Sequence, residues 1–290
     1  MPLKNRILII DGDNLCHRVY HKFKGLTTKT GKDSTLIYGV PYLLLSYIKR
    51  FNADKIFVAF DGGRSKERIK ILPGYKKRDI NLALDYEAFY SQKTILKEYL
   101  PYINISTIFG DKLEADDLIY RLTRSFSKSS YLTIISSDKD FTQLIKNGIS
   151  IYNPFKEIII NSYNVSSIMG YSVQEAIDYL ILDGDKSDKI PGVKGMGPVK
   201  IRKFLDEFIS IENYLDNPKG NWDYNAIKVA YKQNNILINL KLYYLKYGKY
   251  DTPTIIYPKW DIDIFKKLMF EYNVNLLNNL DNINHFKKLT

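Results

Sequence analysis

Residues 6–12 read Arg-Ile-Leu-Ile-Ile-Asp-Gly. The four apolar residues Ile7–Ile10 are mostly β-branched and bounded by polar neighbours, which is the pattern of a short strand buried on both faces. The run stops at Asp11 and Gly12. The layout recurs down the chain: Lys55–Phe60 ends on Asp61 and Gly62, Ile103–Phe109 precedes Glu114, and Tyr131–Ser136 precedes Asp138. Tyr38–Phe51 and Asp116–Phe126 read as helices between these strands. Strands alternating with helices predict an α/β fold, with a mostly parallel central sheet flanked by helices. Such sheets bind ligands beyond the carboxyl ends of their strands. Four strand ends are therefore expected to deliver carboxylates to one edge.

Working outward, the 290 residues suffice for a substantial core, and 45% are hydrophobic. No apolar run approaches the span of a bilayer, so no membrane association is expected. The run after Lys4 and Arg6 is too short for the core of a signal peptide. The single cysteine, Cys16, excludes an internal disulfide and points to a reducing compartment. Richness in Lys, Ile, Asn and Tyr is consistent with an AT-rich genome, phage or bacterial, so the expected location is the cytoplasm of a bacterium or phage-infected host. One Cys with His17, His21 and His285 cannot assemble a zinc site. The net charge is +11, which favours a polyanionic partner.

Nine acids carry the chemistry: Asp11, Asp61, Glu114, Asp116, Asp117, Asp138, Asp140, Asp185 and Asp188. Setting these nine of the 32 acids aside leaves 23 against 43 basic residues, a basic surface around an acidic site. Asp138 and Asp140 are two apart at a strand end, and Glu114/Asp117 and Asp185/Asp188 are three apart at helix starts, so each pair can share a face. An acid in a first helical turn is also favoured by the helix dipole, which alone accounts for any one of Glu114, Asp116 and Asp117. Together, so many like charges at one sheet edge are costly unless cations compensate. Oxygen ligands without Cys or His select a hard ion, Mg²⁺ or Mn²⁺. The surplus of carboxylates suggests two ions, the arrangement suited to in-line phosphodiester cleavage.

The set Asp11, Asp61, Glu114-x-Asp116-Asp117, Ser137-Asp138-x-Asp140-x-x-Gln143-Leu144 and Gly184-Asp185-x-x-Asp188-x-Ile190-Pro191-Gly192-Val193-x-Gly195-x-Gly197 resembles the 5′-nuclease or flap endonuclease family. It is most similar to the bacteriophage enzymes and the 5′-nuclease domain of bacterial DNA polymerase I. The resemblance implies a structure-specific flap endonuclease and 5′–3′ exonuclease using two metal ions. Asp11, Asp61, Glu114, Asp116 and Asp117 resemble the first metal cluster, and Asp138, Asp140, Asp185 and Asp188 the second. Leu72-Pro73-Gly74-Tyr75-Lys76-Lys77-Arg78 resembles the base of a helical arch spanning about 63–102. Lys76 and Arg78 are thereby expected to be catalytic cations, Tyr75 to stack on a terminal base, and Lys77 to touch DNA. Arg78 follows Lys76 by two residues where the family has three, so either Lys77 or Arg78 fills the second basic role.

Gly192, Val193, Lys194, Gly195, Gly197 and Lys200 resemble a helix-three-turn-helix element, at about 185–208, that grips duplex DNA through its backbone with a bound potassium ion. The expected organisation is an α/β nuclease core over 1–163 and a mainly helical DNA-binding region over 164–290. Ile149–Asn153 and Glu157–Ile160 read as a hairpin, Asn235–Tyr247 as one helix, and the last forty residues carry no readable motif. Asp13 reads as a polar loop residue or helix cap. No polymerase segment follows, so the chain is expected to act as a free monomer on branched, flapped or 5′-ended DNA. Two rivals explain less. A haloacid-dehalogenase-type phosphatase would use Asp11 as nucleophile but leaves Asp61, Glu114, Asp116 and Asp117 without a role. A non-catalytic DNA-binding protein of the same fold would be expected to have lost acids, and none is lost.

Overall fold

A computed structural model of the chain describes residues 4–77, 85–248 and 251–289. Arg78, and with it residues 78–84 of the expected arch, lies outside the described residues. In chain order the elements begin with β1 (Asn5–Asp11), α1 (Gly12–Phe23), α2 (Thr35–Phe51), β2 (Lys55–Ala59), α3 (Lys66–Ile71), α4 (Tyr86–Tyr99), β3 (Ser106–Phe109), α5 (Ala115–Phe126) and β4 (Ser130–Ile135). The hairpin β5 (Ile149–Asn153) and β6 (Ile158–Ile160) follows, then α6 (Val165–Met169), α7 (Ala176–Asp183) and the two-residue strands β7 (Gly184–Asp185) and β8 (Ile190–Pro191). Next come α8 (Pro198–Phe208), α9 (Ile211–Asp216), α10 (Tyr224–Ile238), α11 (Leu240–Lys246), β9 (Thr254–Ile256), α12 (Ile262–Glu271) and α13 (Leu280–Lys287). These fold into two compact units, Met1–Gly62 with Ile80–Ser137 and Thr252–Thr290, and Gly63–Asp79 with Asp138–Asp251.

In the first unit β1 pairs in parallel with both β2 and β4, β2 pairs in parallel with β3, and β9 closes antiparallel on β3. The expected mostly parallel sheet is therefore present. Ile9 and Ile10 of β1 are 0% exposed, as a strand paired on both edges and covered on both faces must be. Strand order runs one way from β1 through β2 to β3 and the other way to β4. In open α/β sheets such a reversal marks the end where ligands bind, here the carboxyl end of β1, where Asp11 stands.

Gly62 makes the next connection. A Cβ there would come within 1.6 Å of the Gly110 carbonyl oxygen. Bare backbone lets Gly62 donate its N–H to Leu113 O at 2.9 Å and accept from Lys112 N at 3.1 Å. The chain after β2 is thus tied to the turn that leads into Glu114.

Three readings of the sequence differ from the structure. Asp185 and Asp188, expected at a helix start, stand in β7 and in the turn ahead of β8. The run Ile103–Phe109 begins as strand only at Ser106, because Leu100–Ile103 forms a 3₁₀ turn that Asn104 ends in the left-handed conformation, φ 62°. Ile103 and Ile105 are buried in either arrangement, so the apolar pattern does not register the break. Asn235–Tyr247 is two helices. Asn239, at φ −76° and ψ 97°, ends α10, and its side chain accepts from Leu242 N to cap α11. The final forty residues contribute β9, α12 and α13 to the first unit.

In the second unit, the β5–β6 hairpin forms as read. A separate core gathers Tyr179, Ile181, Leu182, Val193, Ile201, Phe204, Tyr214 and Ile227 from α7 to α10. Buried Asn234 on α10 donates to Ile181 O at 3.0 Å and Pro191 O at 2.8 Å, clamping both ends of the acidic loop between them. Arg202 of α8 grips Glu175, with Nη1 3.0 Å from Oε2.

Two expected outcomes follow from these contacts. Gly62→Ala forces backbone apart and should cost about 1–3 kcal/mol, read by denaturant unfolding. Arg202 holds the Glu175 carboxyl down at about 2 from its ordinary 4.5. A depressed carboxylate stabilises the fold above its unfolded value and loses that contribution as pH falls through its folded value. Arg202→Met should therefore lower stability at neutral pH by about 1 kcal/mol, the upper end for a partly exposed pair. It should also flatten the decline in melting temperature between pH 4.5 and 2 relative to the parent.

Candidate active site

The first unit's acids are set by strand ends and one helix start. Asp11 terminates β1 and caps α1, its Oδ1 accepting from Asn14 N at 2.9 Å and its Oδ2 from Ser136 Oγ at 3.0 Å. The residue is 7% exposed. Burial, reinforced by the Asp116, Asp61 and Asp13 carboxylates, pushes its pKa well above the usual carboxylate range. Asp61 follows β2, and its Oδ1 accepts from Ala115 N, the first residue of α5, at 2.6 Å. Glu114 is the N-cap residue of α5 and Asp116 and Asp117 lie in its first turn, where the dipole favours them. Glu114 and Asp117 are 1% and 3% exposed, and Asp116 is half-buried.

Asp13, read from sequence as a loop residue or cap, is neither. It sits in the first turn of α1, 8% exposed, while Asp11 does the capping. Its Oδ2 accepts from Asp61 N at 2.7 Å and its Oδ1 pairs with the Lys93 ammonium of α4. Lys93 is 5% exposed; burial works against its charge, but Asp13 and Asp61 outweigh that and raise its pKa. Eighty residues of separation left no signal for this pair in the sequence.

The second unit holds the other acids. Asp138 caps the 3₁₀ turn Lys139–Leu144, accepting from Asp140 N at 2.8 Å, and Asp140 is buried at 9% exposure. Gln143, part of the same motif, fixes the turn by donating to Ile238 O at 3.0 Å and accepting from Leu240 N at 2.9 Å. Asp185 Oδ1 accepts from Ser187 N at 2.7 Å and Asp188 N at 3.1 Å. Two ammonium groups face this loop. Lys139 Nζ lies 2.8 Å from Asp183 Oδ2 and 3.8 Å from Asp185 Oδ2, and Lys76 Nζ lies 3.6 Å from Asp188 Oδ2. Lys139 and Asp183 were not singled out from sequence, although both sit inside acidic motifs that were.

Two expected DNA contacts are corrected. Tyr75 is 1% exposed and packs with Leu180, Ile190, Leu237 and Ile238, so its ring has no face for a base. Val193 is a core residue whose N–H already donates to Leu182 O at 2.8 Å. Lys77, Gly192, Lys194, Gly195, Gly197 and Lys200 are exposed. Gly195 takes φ 80° at the centre of its turn. Lys194, Gly195, Met196, Lys200, Lys203 and Trp222 line a cleft of about 530 Å³.

Among the described residues, no three acidic, His or Cys side chains stand close enough together to enclose an ion. The donor set nonetheless fits a hard divalent cation. Its candidate ligands are all oxygen, and the Asp116, Asp61 and Asp13 carboxylates disfavour charge on buried Asp11, a cost that a cation relieves.

Comparison with known proteins agrees. The model of the N-terminal, resolvase-like domain of 5′–3′ exonucleases matches residues 6–173. The 5′–3′ exonuclease of Aquifex aeolicus is 32% identical over 212 residues, 73% of this chain and 72% of that protein. The thermostable DNA polymerase I of Thermus aquaticus is 33% identical over 74% of this chain, which spans 25% of the polymerase's length. Among solved structures, the bacteriophage T5 D15 protein crystallised with metal ions superposes with a TM-score of 0.71 at 21% identity, covering 92% of this chain and 99% of that one, which shows a shared fold. The chain belongs to the 5′–3′ exonuclease family and is a nuclease.

Proposed function

We propose that the chain is a structure-specific 5′ nuclease, a flap endonuclease and 5′–3′ exonuclease that hydrolyses DNA with two divalent ions, Mg²⁺ or in its place Mn²⁺. The observation that carries this reading is Asp11, buried at the strand end of a parallel sheet where the carboxylates of Asp116, in the first turn of α5, and Asp61, after β2, disfavour its charge. Asp11, Asp61, Glu114, Asp116 and Asp117 would hold one ion, and Asp138, Asp140, Asp185 and Asp188 the other. Bound there, the ions supply a water of lowered pKa and neutralise charge on the scissile phosphate.

The protein's own groups orient and select. Backbone N–H groups of Asn14 and Ala115 fix Asp11 and Asp61, so their carboxylates need no reorganisation when DNA arrives. Lys76, beside Asp188, offers its ammonium to the phosphate as negative charge develops. Lys77, Lys194 and Lys200 meet duplex phosphates without reading sequence. The turn Gly192–Gly197 ahead of α8 forms the helix-three-turn-helix grip, with potassium as its cation. The segment 63–102 admits a single 5′ strand. The protein works as a monomer in the cytoplasm.

A labelled 5′ flap should be cut with Mg²⁺ or Mn²⁺, and neither with Ca²⁺ nor in EDTA. Cleavage that persists in EDTA would overturn the reading. Lys76→Ala should slow single-turnover cleavage by about 10²–10³-fold, the loss expected for one transition-state donor, with little change in equilibrium DNA affinity. Equal losses in rate and affinity would make Lys76 an ordinary phosphate contact.

A further inference from the structure

Lys93 and Asp13 form a buried ion pair within the first unit's acidic group, yet neither belongs to the nine acids and basic arch residues assigned above. Three observations define the pair. Asp13 uses its two oxygens differently, one for the Lys93 ammonium and one for the Asp61 N–H at 2.7 Å. Asp61 is in turn held at its carboxylate by Ala115 N at 2.6 Å, so Asp13 fixes the backbone of a residue whose side chain is fixed from α5. Both partners are nearly dry, with side chains 6% and 11% exposed, so water screens neither charge. The other nearby cation, Lys97, lies one turn along α4 over the rings of Phe60 and Phe109, at 5.6 and 5.2 Å.

We propose that Lys93 and Asp13 are a positioning pair that sets the net charge of the first acidic group and orients Asp61, thereby tuning how tightly a divalent ion is held there. Asp13 is close enough to Asp11 and Asp61 to act as a further anion in the group. Lys93 cancels that charge while leaving the second Asp13 oxygen free to hold Asp61. The inference rests on the nuclease reading of the site.

Charge bookkeeping gives a sign pattern that simple packing does not. Lys93→Met keeps the length of the side chain and removes its charge, leaving Asp13 uncompensated. Mn²⁺ should then bind more tightly, on the order of tenfold, by Coulomb attraction in a poorly screened site. Asp13→Asn keeps an oxygen for the Asp61 N–H and leaves Lys93 uncompensated, so Mn²⁺ should bind more weakly by a similar factor. The double variant removes both charges and should return close to the parent. A merely structural pair would lower the melting temperature in all three variants and leave the affinity of the folded protein unmoved.

The experiment is calorimetric titration of Mn²⁺ into the full-length protein and the three variants at constant ionic strength, with melting curves to establish folding. Opposite shifts in the single variants, cancelling in the double, support the proposal. Unchanged affinities, or shifts of the same sign, overturn it. Should Lys93→Met fail to fold, Asp13→Asn and the double variant still carry the weakening and its reversal. A parent protein that neither binds Mn²⁺ nor cuts DNA with it would sink the nuclease reading instead; a metal-dependent parent with unresponsive variants sinks only the pair.

Discussion

The first unit is built around the cost of holding carboxylates together out of water. Asp11 ends a strand whose every apolar neighbour is buried, and Asp61, Asp116 and Asp13 all raise the cost of its charge. Such a group survives only if the chain supplies compensation before any ion does. That compensation is mostly backbone: Asn14 N on Asp11, Ala115 N on Asp61 and Asp61 N on Asp13. Each donor belongs to a helix start or a strand end, so the sheet and its helices are the scaffold of these bonds. The bare backbone at Gly62 belongs to the same scheme, since a side chain there would separate Asp61 from the turn that introduces Glu114.

In the second unit ammonium groups join the backbone donors Asp140 N on Asp138 and Ser187 N and Asp188 N on Asp185. Lys139 and Lys76 approach the loop Asp183–Asp188, and Asn234 holds the two backbone segments on which the loop is mounted. An ammonium is a displaceable partner in a way that a backbone N–H is not. Both acidic groups rest on backbone dipoles, and they differ in the cation that joins them: a nearly dry ammonium in the first, more exposed ones in the second.

Much of this was legible in the sequence because it is local. A strand that ends on Asp-Gly states where its carboxylate goes, and β1, β2 and β4 appear within a residue or so of their expected ends. The acidic motifs were readable for the same reason. What escaped depends on distant residues. Asp13 looks like a cap until Lys93, eighty residues away, is seen to bury it. Tyr75 was expected to stack because its motif resembles the base of an arch, whereas Leu180, Ile190, Leu237 and Ile238 claim its ring. The break at Asn239 was hidden because residues on both sides continue a helical pattern, and only the cap on Leu242 N reveals the new start.

The burial of Tyr75 changes how Lys76 should be understood. Lys76 takes φ 47°, a left-handed conformation that costs a side-chain-bearing residue about 1–2 kcal/mol. Something must hold it there, and the structure provides anchors on either side. Tyr75 is sunk in the core and its carbonyl accepts from Arg64 Nη1 at 3.0 Å, while Lys76 N donates to Asp188 O at 2.9 Å. The backbone of Lys76 is thus bonded to the same residue whose carboxylate its ammonium faces at 3.6 Å. A lysine on a free loop would bring a charge with four unconstrained torsions. Here the first atoms of that side chain are fixed relative to Asp188, which narrows the space its ammonium can reach around that carboxylate. The aromatic residue that seemed made for the substrate is the anchor that makes the lysine's position reproducible.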